Sequence, residues 1–266
     1  MRGVSIRGLS FAYEKGPLVL KDIDLEVPSG QFVCLLGQSG CGKSTLLRLL
    51  IGLEAPTGGE ILLDGEPIRG ASLDRGAVFQ DYGLFPWLSA GENIALALRQ
   101  RFPNWEKGRY EETALRYIRE VGLDETVYRK LPRELSGGMQ QRCAIAQALA
   151  IEPQALLMDE PFGALDAVTR ARLQDLLLGI CARQEPKRTV FFVTHDVDEA
   201  LLLGGRIVVL GQSPGRVIHD VMIPEERRPT RKTQFEDAWI LQLRNELIAK
   251  IHEDVASRAE EDSSEA

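Results

Sequence analysis

Residues 31–53 read QFVCLLGQSGCGKSTLLRLLIGL, and this stretch decides the fold. An apolar run ending at Leu36 gives way to a glycine-rich turn, and the turn opens a segment with helical spacing of leucines. Gly37 to Ser44, GQSGCGKS, satisfies G-x-x-x-x-G-K-[ST] in the strand–turn–helix setting that this pattern requires. The chemistry needs these residue types. Gly37, Gly40 and Gly42 let the backbone wrap phosphates without Cβ clashes. The backbone N–H groups of Gln38, Ser39, Cys41 and Thr45 belong to the same loop and helix start, which faces an anion. Lys43 is placed to bridge β- and γ-phosphates, and the Ser44 hydroxyl to ligate Mg²⁺. Cys41, beside a lysine at a helix N-terminus, is expected to have a lowered thiol pKa.

On either side, apolar strands alternate with helices. VSIRGLSFAYE, LKDIDLEV and QFVCLL read as strands, GEILLDGEPI as a hairpin turning at Asp64-Gly65, and ALLMDE, TVFFVTHD and RIVVLGQ as buried strands. KSTLLRLLIGL, NIALALRQR, RYEETALRYIREVGL, MQQRCAIAQALA and AVTRARLQDLLLGICARQ read as helices. This order predicts a mainly parallel sheet covered on both faces, with a helical block near 86–150 inserted between its halves. Residues 225–232, EERRPTRK, read as a solvated linker. FEDAWILQLRNELIAKI follows as an amphipathic helix with Phe235, Trp239, Leu243, Leu247 and Ile251 on one stripe. The closing AEEDSSEA is acidic and expected to fray.

Composition narrows the class. The chain has 266 residues, 44% of them hydrophobic and 27% charged, which is ordinary for a globular protein. With 32 basic and 39 acidic residues its net charge is −7, which argues against nucleic acid or an anionic membrane held by overall charge. No apolar run approaches the roughly 20 residues that span a bilayer. The opening MRGVSIRGLSFAYEKG lacks the apolar core of a signal peptide. Cys34, Cys41, Cys143 and Cys181 show no metal-type spacing and fit a reducing cytosol.

Three further stretches carry chemistry. In ALLMDE the strand delivers Asp159 and Glu160 to the carboxyl edge of the sheet, where ligands of open α/β folds sit. Asp159 is suited to hold Mg²⁺ and Glu160 to polarise a water toward a γ-phosphate. There is no N-K-x-D stretch of the guanine-reading type, so adenine is the expected base. LSGGMQQR, Leu135 to Arg142, gives a helix capped by Ser136 whose N–H groups are left bare by Gly137 and Gly138. A lone S-G-G is more often only a cap, but a second phosphate-type helix end in a chain that already has one suggests that two copies pair head to tail. FQDYGLFPWLSAGENI (79–94) sets Leu84, Phe85, Trp87 and Leu88 around Pro86 in what reads as a loop.

Together these motifs resemble the ATP-binding subunit of ABC transporters over about residues 1–220: GQSGCGKS, LSGGMQ, ALLMDE, GALD (163–166) and VTHD (193–196) stand in the family's order. The resemblance implies an α/β fold of the P-loop NTPase (RecA-like) kind, a mainly parallel sheet with an N-terminal antiparallel β subdomain and an inserted α-helical subdomain. Residues 221–266 are then a C-terminal extension. It implies ATP and Mg²⁺ as cofactors, Tyr13 stacking on adenine, and Gln80 touching Mg²⁺ and the attacking water. It further implies Ser136 and Gly138 on the γ-phosphate bound by the opposite protomer, Asp166 at the dimer seam, and His195 orienting Glu160. In the family the segment after Gln80 receives a cytoplasmic helix of the transmembrane permease subunit. Leu84, Phe85, Trp87 and Leu88 would then be an anchor set for that partner, against the alternative that they pack within the helical subdomain.

GAVFQDYGLFPWLSAGENIALAL and LGQSPGRVIHDVMIP resemble the importer branch serving nitrate, taurine and alkanesulfonates. That implies an ATPase motor on the cytoplasmic face of the cell membrane, paired with a second copy of itself and served indirectly by an external substrate-binding protein. The alternatives are an exporter or lipid-transporter ATPase, or a soluble non-transport ATPase of the family. Gln147 departs from the arginine usual in the family.

Overall fold

The computed structural model describes residues 3–14, 16–163, 165–183 and 187–264. Lys15, Ala164 of GALD, Gln184 at the end of the fifth predicted helix, and the first and last two residues lie outside these. The chain forms two units, one from residues 1–71 with 189–266, the other from 72–188.

Unit one holds two sheets. β1 (Gly3–Ala12) pairs antiparallel with β2 (Leu18–Pro28) and with β4 (Gly58–Leu63), and β4 turns into the short β5 (Glu66–Pro67). Ile6 stands opposite both Leu25 and Ile61, so the buried side chains of three strands meet at one level. The Asp64-Gly65 turn has φ of 53° and 89°, the left-handed pair that a two-residue hairpin demands.

The second sheet centres on β3 (Phe32–Leu36), which lies parallel between β8 (Thr189–Thr194) and β9 (Arg206–Leu210). Every residue of β3 and β8 is buried, the continuous apolar run expected of a parallel strand covered on both faces. β10 (Val217–Met222) adds antiparallel to β9. Sequence reading gave no strand there, because VIHDVM alternates weakly and its side chains are only half-buried or exposed. α1 (Lys43–Ile51) follows β3, and α6 (Val197–Leu203) follows β8.

The tail helix α7 spans Ala238–Ser264. It begins after Phe235, because the Asp237 carboxylate accepts the N–H groups of Trp239 and Ile240 and so caps the first turn. The predicted stripe is therefore corrected: Ile240, Leu243 and Leu247 are buried, whereas Phe235 precedes the helix and is exposed.

Unit two has β6 (Arg75–Val78) parallel to β7 (Ala155–Asp159), with α2 (Ala90–Arg101), α3 (Lys107–Glu120) and α4 (Gly137–Ala150) between them in sequence. α5 (Ala167–Arg183) completes the unit. α2, α3 and α4 pack on one another through Ile94, Leu98, Ala114, Ile118 and Ile145, all buried.

Candidate nucleotide-binding site

β3 delivers the chain to Gly37 and α1 takes it up at Lys43, so Gly37 to Gly42 form the turn between them. Gly40 and Gly42 have φ of 85° and 95°, a conformation that L side chains rarely adopt. A Cβ on Gly42 would stand 2.6 Å from Leu20 Cδ2, and one on Gly37 2.6 Å from the Leu210 carbonyl oxygen. Lys43 is buried, and its Nζ donates to the carbonyls of Gly37 at 2.8 Å and Gln38 at 2.7 Å. The loop is thus closed around its own ammonium. α1 has no side-chain cap and no acidic residue in its first turn, leaving its N–H groups and positive dipole end for an anion.

Thr45 is buried, and Ser44 lies exposed beside it on that first turn. The Tyr13 hydroxyl comes within 3.5 Å of Thr45 Oγ1. Its ring leans edge-on against Phe11 at 4.8 Å and is otherwise largely exposed. A glycine cradle with no room for a Cβ at Gly37 or Gly42, a buried lysine, a hydroxyl at the helix start and an open aromatic ring fit ATP with Mg²⁺.

His195 follows the wholly buried β8. With Val197, the loop residues Gly37, Gln38 and Ser39, and Ile248, Ile251 and His252 of α7, it lines a cavity of about 470 Å³. Asp196 caps α6 by accepting the N–H groups of Asp198 and Glu199.

Unit two carries the remaining predicted residues. β7 buries Ala155 through Met158 and releases Asp159 and Glu160 half-buried at its end. Glu160 has φ of 42°, a left-handed conformation for a residue with a full side chain, which costs on the order of 1–3 kcal/mol and is held by the surrounding turn. Gln80 is exposed just beyond the end of β6. Ser136 caps α4 by accepting the Met139 N–H at 3.4 Å and is itself exposed. Gly137 and Gly138 leave no room for a side chain: a Cβ would meet the Tyr82 hydroxyl at 2.9 Å and Thr169 Cγ2 at 2.7 Å, respectively. Asp166 accepts the N–H groups of Val168 and Thr169, both at 3.0 Å, so it caps α5. Its hydrogen bonds from Thr169 and then Val168 hold its carboxyl below the usual carboxylate range. Sequence reading did not foresee this cap.

The 84–88 segment resolves into two sorts of residue. Leu84 is half-buried against the cluster of Ala90, Val127, Leu135 and Cys143. The rings of Phe85 and Trp87 lie 5.4 Å apart, tilted by 43°, and both are exposed, Trp87 to 71%. Asn93, wholly buried, pins the loop: its Oδ1 accepts the Phe85 N–H, and its Nδ2 donates to the carbonyls of Phe85, Leu88 and Ser89. Ser89 and Glu92 cap α2 reciprocally, an S-x-x-E signature that marks this helix start from sequence alone.

The expectation for Cys41 is overturned. Its side chain is buried, and loss of solvent raises the thiol pKa despite the opposing Lys43 charge. Position beside a cation at a helix start is not enough when the sulfur faces Gly37 and the loop interior.

Comparison with known proteins agrees with this geometry. The family model described as ABC transporter matches residues 20–163. The nitrate import ATP-binding protein NrtD of Synechococcus elongatus is 45% identical over 243 residues, covering 91% of this chain and 88% of that protein. The bicarbonate transport ATP-binding protein CmpC of the same organism is 49% identical over 215 residues, 81% of this chain but only 32% of its own length. The ATP-binding cassette MJ0796, solved as a dimer bound to ADP and Pi, superposes with a TM-score of 0.73 at 32% identity over 83% of this chain and 99% of that one. Another dimeric structure of MJ0796 gives 0.75 at 33% identity. The fold is that of a P-loop NTPase, and the chain belongs to the ABC transporter family as an ATP-binding, ATP-hydrolysing subunit.

Proposed function

We propose that this chain is the motor of an importer for a small anion such as nitrate or bicarbonate, working as an ATP-sandwich pair on the cytoplasmic face of the cell membrane. The observation that carries this reading is the likeness to a nitrate import subunit along 91% of the chain, together with the complete set of phosphate-handling residues. No helix among the described residues is long and apolar enough to cross a membrane, which accords with a subunit docked on a separate permease. An external binding protein supplies the anion to that permease and meets this chain only through it.

Bound ATP with Mg²⁺ supplies a phosphoanhydride whose γ-phosphoryl is activated for transfer to water. The chain's own residues do the rest. The loop Gly37–Gly42 and the start of α1 hold the phosphates with backbone N–H groups. Lys43, now on the Gly37 and Gln38 carbonyls, would turn its ammonium to the phosphates and neutralise their charge. Ser44, Asp159 and Gln80 would be the residues to hold the metal. Tyr13 stacks on the base. Glu160, held in its left-handed turn, takes the proton of the attacking water, and His195 orients Glu160. Ser136 and Gly138 of a second copy close the cage, with Asp166 at the seam. Phe85 and Trp87 meet the permease, on a loop that Asn93 keeps from collapsing.

The test is to reconstitute the chain with its permease and binding protein and measure ATPase with candidate anions. Nitrate or bicarbonate should stimulate turnover several-fold where taurine does not. Stimulation by a sulfonate alone would overturn the anion class, and failure to bind any permease would overturn the motor.

A further inference from the structure

The tail helix α7 is tied to the phosphate end of unit one along its length. Arg244 presents a fork to Asp198, with Nε 2.7 Å from Oδ1 and Nη2 3.4 Å from Oδ2. Asp198 stands in the first turn of α6, the helix that starts two residues after His195. Further along, Ile248, Ile251 and His252 line the cavity shared by His195 and the loop residues Gly37, Gln38 and Ser39. The Asp254 carboxylate accepts the Gln212 N–H at 2.7 Å, and Gln212 Nε2 reaches Gln38 Oε1 at 3.5 Å.

α6 has seven residues, too few for a helix to persist by its own backbone bonds; burial of Ala200–Leu203 anchors its body, and polar groups hold its first turn. From its own side the grip is local: Thr194 donates to Glu199 at 2.6 Å, and Asp196 caps the first turn. From outside, Arg244 reaches Asp198 in the first turn with two of its guanidinium nitrogens, a geometry in which arginine fixes direction as well as distance.

We propose that Arg244 is a positioning residue for hydrolysis: by gripping Asp198 it fixes the start of α6 and with it the placement of His195 toward the phosphates. The tail helix is then part of the ATPase centre rather than an appendage to it. This rests on the role given to His195 above.

In the full chain, Arg244→Ala should lower kcat for ATP about tenfold while KM moves less than twofold, because binding by the phosphate loop is untouched and a displacement of about 1 Å at a reacting group is enough for such a loss. Arg244→Lys, which keeps the charge but loses the fork, should recover part of the rate. In a His195→Ala background, read by single-turnover hydrolysis, adding Arg244→Ala should cause no further loss, since both act through one side chain. Unchanged or raised turnover in Arg244→Ala overturns the proposal, as does an equal loss with and without His195. If His195→Ala itself leaves turnover intact, it is the reading of His195 that fails.

Discussion

At Cys41 two influences oppose each other: the Lys43 charge favours a thiolate, and burial in the loop interior disfavours it. Burial prevails, and the thiol titrates above its ordinary range. The thiolate is the reacting species, so at pH 7 labelling is slower than for a free thiol, and it goes on rising with pH beyond the range where a free thiol levels off. Maleimide labelling of the native chain, followed residue by residue, should show Cys41 slower than a free cysteine at pH 7. Fast, ATP-protected modification at pH 7 would contradict the burial argument. The residues of the phosphate motifs were legible in the sequence because glycine, lysine and serine at fixed spacing are required by backbone geometry. The Cys41 pKa was not, because a sequence displays charged neighbours but not the solvent that folding removes.

At the scale of elements, the loop before α2 divides labour between an internal pin and an outward pair. Asn93 satisfies four backbone groups from a wholly buried position. Asn93→Ala removes this partner from the Phe85 N–H and the Leu88 carbonyl, while the Phe85 and Ser89 carbonyls keep the Leu88 and Asn93 N–H groups. The change should cost about 1–3 kcal/mol, read as a lower urea midpoint. Trp87→Ala should leave that midpoint unchanged within about 0.5 kcal/mol yet loosen copurification with the permease. A matching loss of stability in both variants would mean that Trp87 packs inward. Helices and buried strands fell close to where periodicity put them, since a continuous apolar run such as Thr189–Thr194 has few other ways to be buried. β10 escaped because half-buried edge strands need no clean alternation. The tail stripe was misplaced because a cap at Asp237, not the run of apolar residues, sets where α7 begins.

For the whole molecule, the predicted residues are divided between units: Tyr13, the phosphate loop and His195 in one, Gln80, Ser136, Asp159 and Glu160 in the other. If a pair of copies completes each cage, a Lys43→Ala copy mixed with a Ser136→Ala copy should regain turnover that neither has alone. Random pairing limits this to about a quarter of the wild-type sites, because half the pairs are mixed and each mixed pair has one intact cage. No regained turnover, with cross-linking showing that the copies meet, would sink the shared cage. The chain order of unit one has a consequence during synthesis. β3 finds both its neighbours only when Leu210 has left the ribosome, since β8 and β9 are translated long after it. At about 5–20 residues per second the delay is roughly 10–30 s. Until Thr194 emerges, FVCLL has neither neighbour and is an unpaired, wholly apolar strand, while the uninterrupted segment 72–188 is already out behind it. A nascent chain of this kind has reason to be shielded by a chaperone until its last strands arrive.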